Sequence, residues 1–326
     1  MQSFRTIISL KKQPITIHHQ TPVMLIGSCF ANNIGNKLED YKFRVQTNPF
    51  GVVYNPTSIY NSLNILLDKK TFTSKDLCFY NNKWISIYHY TNFSDENQDK
   101  CIKNINECLE KSYGFLRSCR FLFITFGTAM VYEYIKTGQI VSNCHKIPPK
   151  EFNQKLLTIE EIVNDYCIIL NKLITEIPEL QVIFTVSPVR HWKDGATCNQ
   201  LSKSILNVSI HQLINKFPLN ASYFPAYEIV MDDLRDYRYY NSDMLHLNQV
   251  AIDYIWEIFL QAYFEPETIK LNHQLDKIIS AYHHKPVNPE SKEYRQFAES
   301  ILNYISELTI QYPFLDFSKE INYFSH

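Results

Sequence analysis

Three short apolar runs, Val23 to Ile26, Phe121 to Phe126 and Gln181 to Val186, constrain this 326-residue chain more than any other feature. Each has the length of a buried strand, and each stops at a structure-breaking residue: Gly27, Gly127 or the Ser187-Pro188 pair. Helical spacing follows or separates them, with Phe30, Ile34 and Leu38 on one face after the first run. Ile162, Tyr166, Ile169 and Leu173 repeat the pattern in Thr158 to Ile174. Strands alternating with helices predict an α/β fold with a mainly parallel sheet covered on both faces. Ligands of such sheets bind beyond the carboxyl ends of the strands, so the loops after Ile26, Phe126 and Val186 are where chemistry is expected.

Further helices are predicted over 199–217, packing through Leu201, Ile205, Val208 and Leu213, and from Gln249 to Phe264. From Glu265 onward the pattern is helical and polar, interrupted by HHKPVNPES, whose prolines mark a linker. This divides the chain into an α/β domain over 1–264 and a helical extension over 265–326, expected to pack on the core.

Composition removes several function classes. With 32 basic and 33 acidic side chains the net charge is −1, which offers no bulk attraction to nucleic acid or to anionic membranes. The start, MQSFRTIISLKKQPITIHHQ, has one short apolar run broken by Lys11 and Lys12, and no window reaches 18 apolar residues. A cytoplasmic protein is the expectation. None of the eight cysteines forms a Cys-x-x-Cys pair, so free thiols are predicted and no metal site is.

The candidate chemistry starts at Gly27-Ser28-Cys29, between the first strand and its helix. A nucleophile there stands above the sheet, where the helix N-terminus offers free N–H groups and a positive dipole that lower a thiol pKa and stabilise an oxyanion. The competing reading is a helix cap by Ser28 with Cys29 buried. Late in the chain, Asp243-Met244-Leu245-His246 precedes a helix. A carboxylate three residues before a histidine can hold one ring nitrogen and leave the other to accept a proton, although the same pattern also describes a cap beside a surface histidine.

Gly27-Ser28-Cys29-Phe30-Ala31 resembles the name-giving motif of the GSCFA domain family, which looks like a branch of the SGNH (GDSL-like) hydrolases. The resemblance continues through NPFGVVYNPTSI at 48–59, FGTAMVY at 126–132, NCHKIP at 143–148, TVSPVRHWKDG at 185–195 and YFPAYEIVMDDLRDYRYYNSDMLHLN at 223–248. It implies a three-layer α/β sandwich, a nucleophile after the first strand and an Asp-x-x-His near the end. An ungapped overlay puts Cys29, in preference to Ser28, at the nucleophile position, with Asp243 and His246 as its acid and base. The implied oxyanion donors are the N–H groups of Cys29 and Gly51 and a side chain from the third block. Where the superfamily has asparagine in that block this chain has Thr128, which leaves Thr128 or Asn143 as the donor.

A cysteine nucleophile implies a thioester, so transfer to a hydroxyl or amine is as reasonable as hydrolysis. The expected partner is a small-molecule or carbohydrate acyl ester or acceptor. No cofactor is expected, and acyl-coenzyme A is a candidate donor substrate. Arg190 and His191, in the loop after the third strand, together with His145 and Tyr54, are the candidate substrate-binding residues. His191 has a competing reading as a loop residue bonded to backbone, and the Asn143–Lys146 stretch with His145 could instead coordinate metal with Cys29 and His246, although no ligand spacing supports that. The tyrosines of 223–240 suit a carbohydrate- or ring-binding wall, although such aromatics more often serve core and loop packing. A non-catalytic protein that keeps the fold and its pocket is the alternative function.

Overall fold

The computed structural model describes residues 5–284 and 286–325. The extreme ends of the two expected domains, residues 1–4 and His326, and Lys285 of the linker lie outside the described residues. Two compact units emerge. Of the described residues, one holds 5–9, 22–35 and 45–258, and the other holds 10–21, 36–44, 259–284 and 286–325. Where the sequence suggested a single cut at 264/265, the second unit therefore also takes in two earlier segments.

The first unit is built on a five-stranded sheet: β1 (Val23–Gly27), β2 (Val45–Thr47), β3 (Phe121–Phe126), β4 (Gln181–Val186) and β5 (Ala221–Tyr223). The order is β5-β4-β3-β1-β2 and every pairing is parallel, with Gly27 opposite Thr125 and Phe126 opposite Val186. All residues of β1 and β3 are buried, on both faces, which explains why these strands read as continuous apolar runs. The edge strands β2 and β5 have three residues each, too few to show any alternation. Smaller antiparallel pieces also have no clear sequence signal: Met130–Tyr134 pairs with Gln139–Ile140 and Phe152–Leu156, and Cys78–Tyr80 pairs with Lys83–Ile85.

Helices α1 (Cys29–Asp40), α2 (Pro56–Leu67), α3 (Gln98–Ser118), α4 (Ile159–Glu176), α5 (Gly195–Lys216) and α6 (Gln249–Tyr263) connect and flank the strands. Their starts are chemically specified. Asn55 accepts from the Ser58 N–H ahead of Pro56, and Thr158 and Glu161 form a reciprocal capping box. The core joins Met24, Ile124, Phe126 and Phe184 to α4, where the Tyr166 ring meets Phe126 edge-on at 5.0 Å.

Helix α5 corrects the expected packing face. Leu201 and Val208 are exposed, whereas Asn199, Ser202, Lys203, Leu206, Ser209, Ile210 and Leu213 are buried. The helix turns a partly polar stripe inward because backbone groups at the strand ends need partners there.

In the second unit, α7 (Pro266–His283), α8 (Lys292–Gln311) and α9 (Ser318–Phe324) share a small core of Leu271, Leu275, Ile301, Ile305 and Phe324. Lys42 and Glu320 form a largely buried ion pair at 2.6 Å, and His19 stacks on Phe43 at 4.2 Å. Among the described residues no helix is long and apolar enough to cross a membrane.

Candidate active site

The turn at the end of β1 is set by Gly27. Its φ of 146° and the Thr125 carbonyl 2.3 Å from where a Cβ would stand admit no side chain. The chain then enters α1 directly. Ser28 is 1% exposed, and its Oγ accepts from the Phe30 N–H at 3.3 Å, so Ser28 is the helix cap. Cys29, the first helical residue, is a partly exposed free thiol. Of the two adjacent nucleophile candidates, only Cys29 is open to a substrate.

The Cys29 thiol is raised above its ordinary pKa, chiefly by burial. The N–H groups of Phe30 and of Cys29 itself and the charge of Lys203 pull it down, while the nearby Asp243 carboxylate pushes it up. The helix N-terminus does favour the thiolate, as expected, but desolvation outweighs it. At neutral pH the group rests as a thiol.

The block at 48–55 joins the ends of β1 and β3. Val53 N–H donates to the Gly27 carbonyl at 3.0 Å, and the N–H groups of Gly127 and Thr128 donate to the Tyr54 carbonyl. Asn48, in the left-handed region at φ 47°, accepts from Gly27 N–H at 2.8 Å and donates to Asn32 Oδ1 at 2.5 Å. Two expected oxyanion donors are committed elsewhere. The Gly51 N–H closes a turn onto the Asn48 carbonyl at 2.8 Å. Thr128 is buried, and its Oγ1 pairs with Ser202 at 3.1 Å and accepts from Met130 N–H. Asn143 Oδ1 accepts from the His145 N–H at 2.7 Å, a bond that leaves its amide N–H groups uncommitted. The donor left at the elbow is the Cys29 N–H.

Asp243 and His246 form the expected pair. His246 Nδ1–H donates to Asp243 Oδ2 at 2.6 Å, and Asp243 Oδ1 accepts from the N–H groups of Leu245 and His246. These bonds hold the Asp243 carboxyl down at about 2. They also fix the imidazole tautomer, so Nε2 is the nitrogen left to accept a proton.

Lys203 was not foreseen. It is 1% exposed, and its ammonium donates to the carbonyls of Gly127 at 2.7 Å, Ser187 at 2.7 Å and Val189 at 3.1 Å, behind the ends of β3 and β4. Burial lowers it to about 7, and the charge of a Cys29 thiolate raises it. The available sequence signal was its position between Asn199 and Leu206 on the inward stripe of α5, a stripe the larger apolar residues disguised.

The expected binding residues separate into two groups. Tyr54 and His191 are together, ring edge to face at 5.7 Å. Tyr54 is pushed up to about 12 by burial and by the charge of Cys29, which keeps it a neutral phenol, and burial lowers His191 and keeps it uncharged. Arg190 lies over the Trp192 ring at 5.5 Å. His145 belongs elsewhere: it is buried, and its Nε2–H donates to the Ser86 carbonyl at 2.9 Å in the neighbourhood of His89. The expected place of His145 in the substrate pocket is therefore not what the fold gives it: its ring is spent on a backbone carbonyl. A cavity of about 630 Å³ opens beside the Asp243 loop, lined among others by Arg190, Trp192, Tyr237, Tyr240 and Asp243. The tyrosines of 223–240 divide accordingly, with Tyr237 and Tyr240 on the cavity and Tyr227 in the core.

The model of the GSCFA family matches residues 22–259, and that of the GSCFA domain protein C-terminal domain matches 275–326. The chain belongs to the GSCFA family. The family match therefore spans every residue of this site, from the elbow to the Asp243–His246 pair. No curated protein matches this GSCFA chain. Among solved structures it resembles a candidate platelet activating factor from Streptococcus pneumonia, at 10% identity and a TM-score of 0.38 over 74% of this chain and 84% of that one. It also resembles a carbohydrate esterase family 3 protein from Talaromyces cellulolyticus, at 9% identity and a TM-score of 0.33 over 78% and 99%. A third is an acetyl xylan esterase from the rumen bacterium Butyrivibrio proteoclasticus, at 11% and 0.27 over 65% and 57%. Likenesses this low say nothing about what the GSCFA chain does.

Proposed function

We propose that this GSCFA chain is an acyl-transfer enzyme that uses Cys29 as nucleophile and the Asp243–His246 pair as its base. The observation that carries the reading is a single arrangement. A partly exposed thiol at a helix N-terminus senses the charge of Asp243, and that carboxylate orients a histidine whose second nitrogen is unbonded. His246 Nε2 takes the thiol proton as sulfur attacks the ester carbonyl carbon. The Cys29 N–H stabilises the oxyanion, and the leaving alcohol departs with the proton returned by His246. The thioester is then opened by water or by an acceptor hydroxyl or amine, so the protein is an esterase or an O-acyltransferase. Lys203 supplies a buried positive charge that favours the thiolate. The substrate is a small-molecule or carbohydrate ester, with acyl-coenzyme A as an activated donor to try.

Intact-mass analysis after incubation with an activated acetyl ester is expected to show one acetyl adduct, absent in Cys29→Ala and retained in Ser28→Ala. An adduct that survives Cys29→Ala would overturn the assignment. The engagement of Gly51 and Thr128 favours a second reading, a binding protein on the same fold, because one oxyanion donor is weak support for catalysis. Alkylation separates the two. A catalytic Cys29 reacts faster than the other seven cysteines and is slowed by His246→Ala, whereas uniform labelling favours the binding protein.

A further inference from the structure

The cavity beside the Asp243 loop has an unequal charge balance. It is lined by two arginines, Arg190 and Arg235, and two aspartates, Asp236 and Asp243. Both carboxylates are already answered. Asp243 holds His246 and two backbone N–H groups, and Asp236 pairs with Arg238 at 2.9 Å. The guanidinium groups are not answered in this way. Arg190 hydrogen-bonds the neutral Tyr227 hydroxyl and lies beside Trp192 and Tyr240, and its buried Nε has no hydrogen-bond partner. Arg235 has no carboxylate partner among the described residues. It stands in the left-handed region at φ 31° and ψ 31°, where the chain leaves a π-helical turn over Ile229–Leu234. Non-glycine residues rarely hold that conformation, and π turns concentrate at functional positions.

Placement decides which part of a substrate this cavity meets. In the proposed reaction His246 protonates the leaving alcohol, and Asp243, Met244 and Leu245, the three residues before it, line the cavity. The alcohol must therefore sit on that side, away from the acyl group at Cys29. We infer that the cavity holds the alcohol portion of the ester, and that this alcohol is a ring-bearing molecule with an anionic group, a carboxylate or a phosphate, bound by Arg190 and Arg235. Trp192, Tyr237 and Tyr240 supply flat surfaces against which a sugar or aromatic ring packs. The inference rests on the reading of His246 as the proton donor to the leaving group.

The test measures binding alone and so stands apart from catalysis. Titration calorimetry of the full chain with glucose, glucuronate and glucose 6-phosphate is expected to show one of the anionic sugars binding about tenfold or more tightly than glucose, the scale of charge-assisted hydrogen bonds. Whichever anion binds better identifies carboxylate or phosphate. The preference should shrink about tenfold in Arg190→Met and in Arg235→Met, return in part with Arg190→Lys, and weaken with added salt in the unaltered protein. Equal binding of glucose and both anions, or a preference that survives both arginine variants, overturns the inference. Loss of the Cys29 acyl adduct would instead sink the esterase reading and leave these affinities as measured.

Discussion

Two charged groups act on Cys29 from different surroundings. Lys203 is sealed behind the strand ends with three carbonyl oxygens around its ammonium, while Asp243 and His246 stand exposed on a loop. Solvent screens the second pair, so it adds little to folding stability. Nothing screens the first. Its removal takes the donor from two buried carbonyls and one part-buried carbonyl and takes a positive charge away from the thiol. The same sulfur thus feels the charge of one group bound up with the fold and of another that is nearly independent of it.

The largest expected effect removes the sulfur on which both converge. Cys29→Ala should abolish acylation by an activated ester, read by intact mass. Next come the exposed partners. His246→Ala should slow acylation by roughly 100- to 10,000-fold, the usual contribution of a positioned base, with little change in melting temperature. A large stability loss in that variant would break the contrast. Lys203→Met reverses the pattern. It should cost about 3 kcal/mol of stability by denaturant titration, because the carbonyls lose their donor, and it should move Cys29 alkylation to higher pH.

Lys203 also sets a pH dependence with a definite sign. Its pKa falls from 10.5 to about 7 on folding, so between those values the unfolded chain holds a proton the folded chain lacks. Folding stability therefore rises with pH across that window relative to Lys203→Met. A difference between the two proteins that stays flat or falls from pH 7 to 10 would refute the lowered value. The smallest effect belongs to the cap: Ser28→Ala should cost about 1 kcal/mol of stability and leave the Cys29 adduct intact.

The exposed half of this comparison was legible in the sequence and the buried half was not. Asp243 and His246 are three residues apart in one loop, so their hydrogen bond depends on local geometry that a single sequence displays. The elbow was legible for a similar reason, since an apolar run, a glycine and a helical repeat are contiguous. Gly35 lies within that helical repeat, where a Cβ would stand 2.2 Å from Thr47 Oγ1. Lys203 was missed because its partners, Gly127, Ser187 and Val189, come from two other loops, and because Leu201 and Val208 suggest the wrong face of α5. The oxyanion donors failed in the same way. Whether the Gly51 N–H or the Thr128 hydroxyl is free depends on Asn48, Ser202 and Met130, and only folding brings those partners to them.

The sequence alone determined the GSCFA membership, the alternation that makes a parallel sheet, the three central strands and the nucleophile elbow, because each is written in contiguous residues with a period or a motif. Tertiary structure decided which of the two adjacent candidates is accessible, which polar groups are already spent on backbone, and that a lysine bonded to three carbonyls is buried close enough for its charge to reach the thiol. Those outcomes depend on burial and on hydrogen bonds between segments far apart in the chain, quantities that have no value until the strands are side by side.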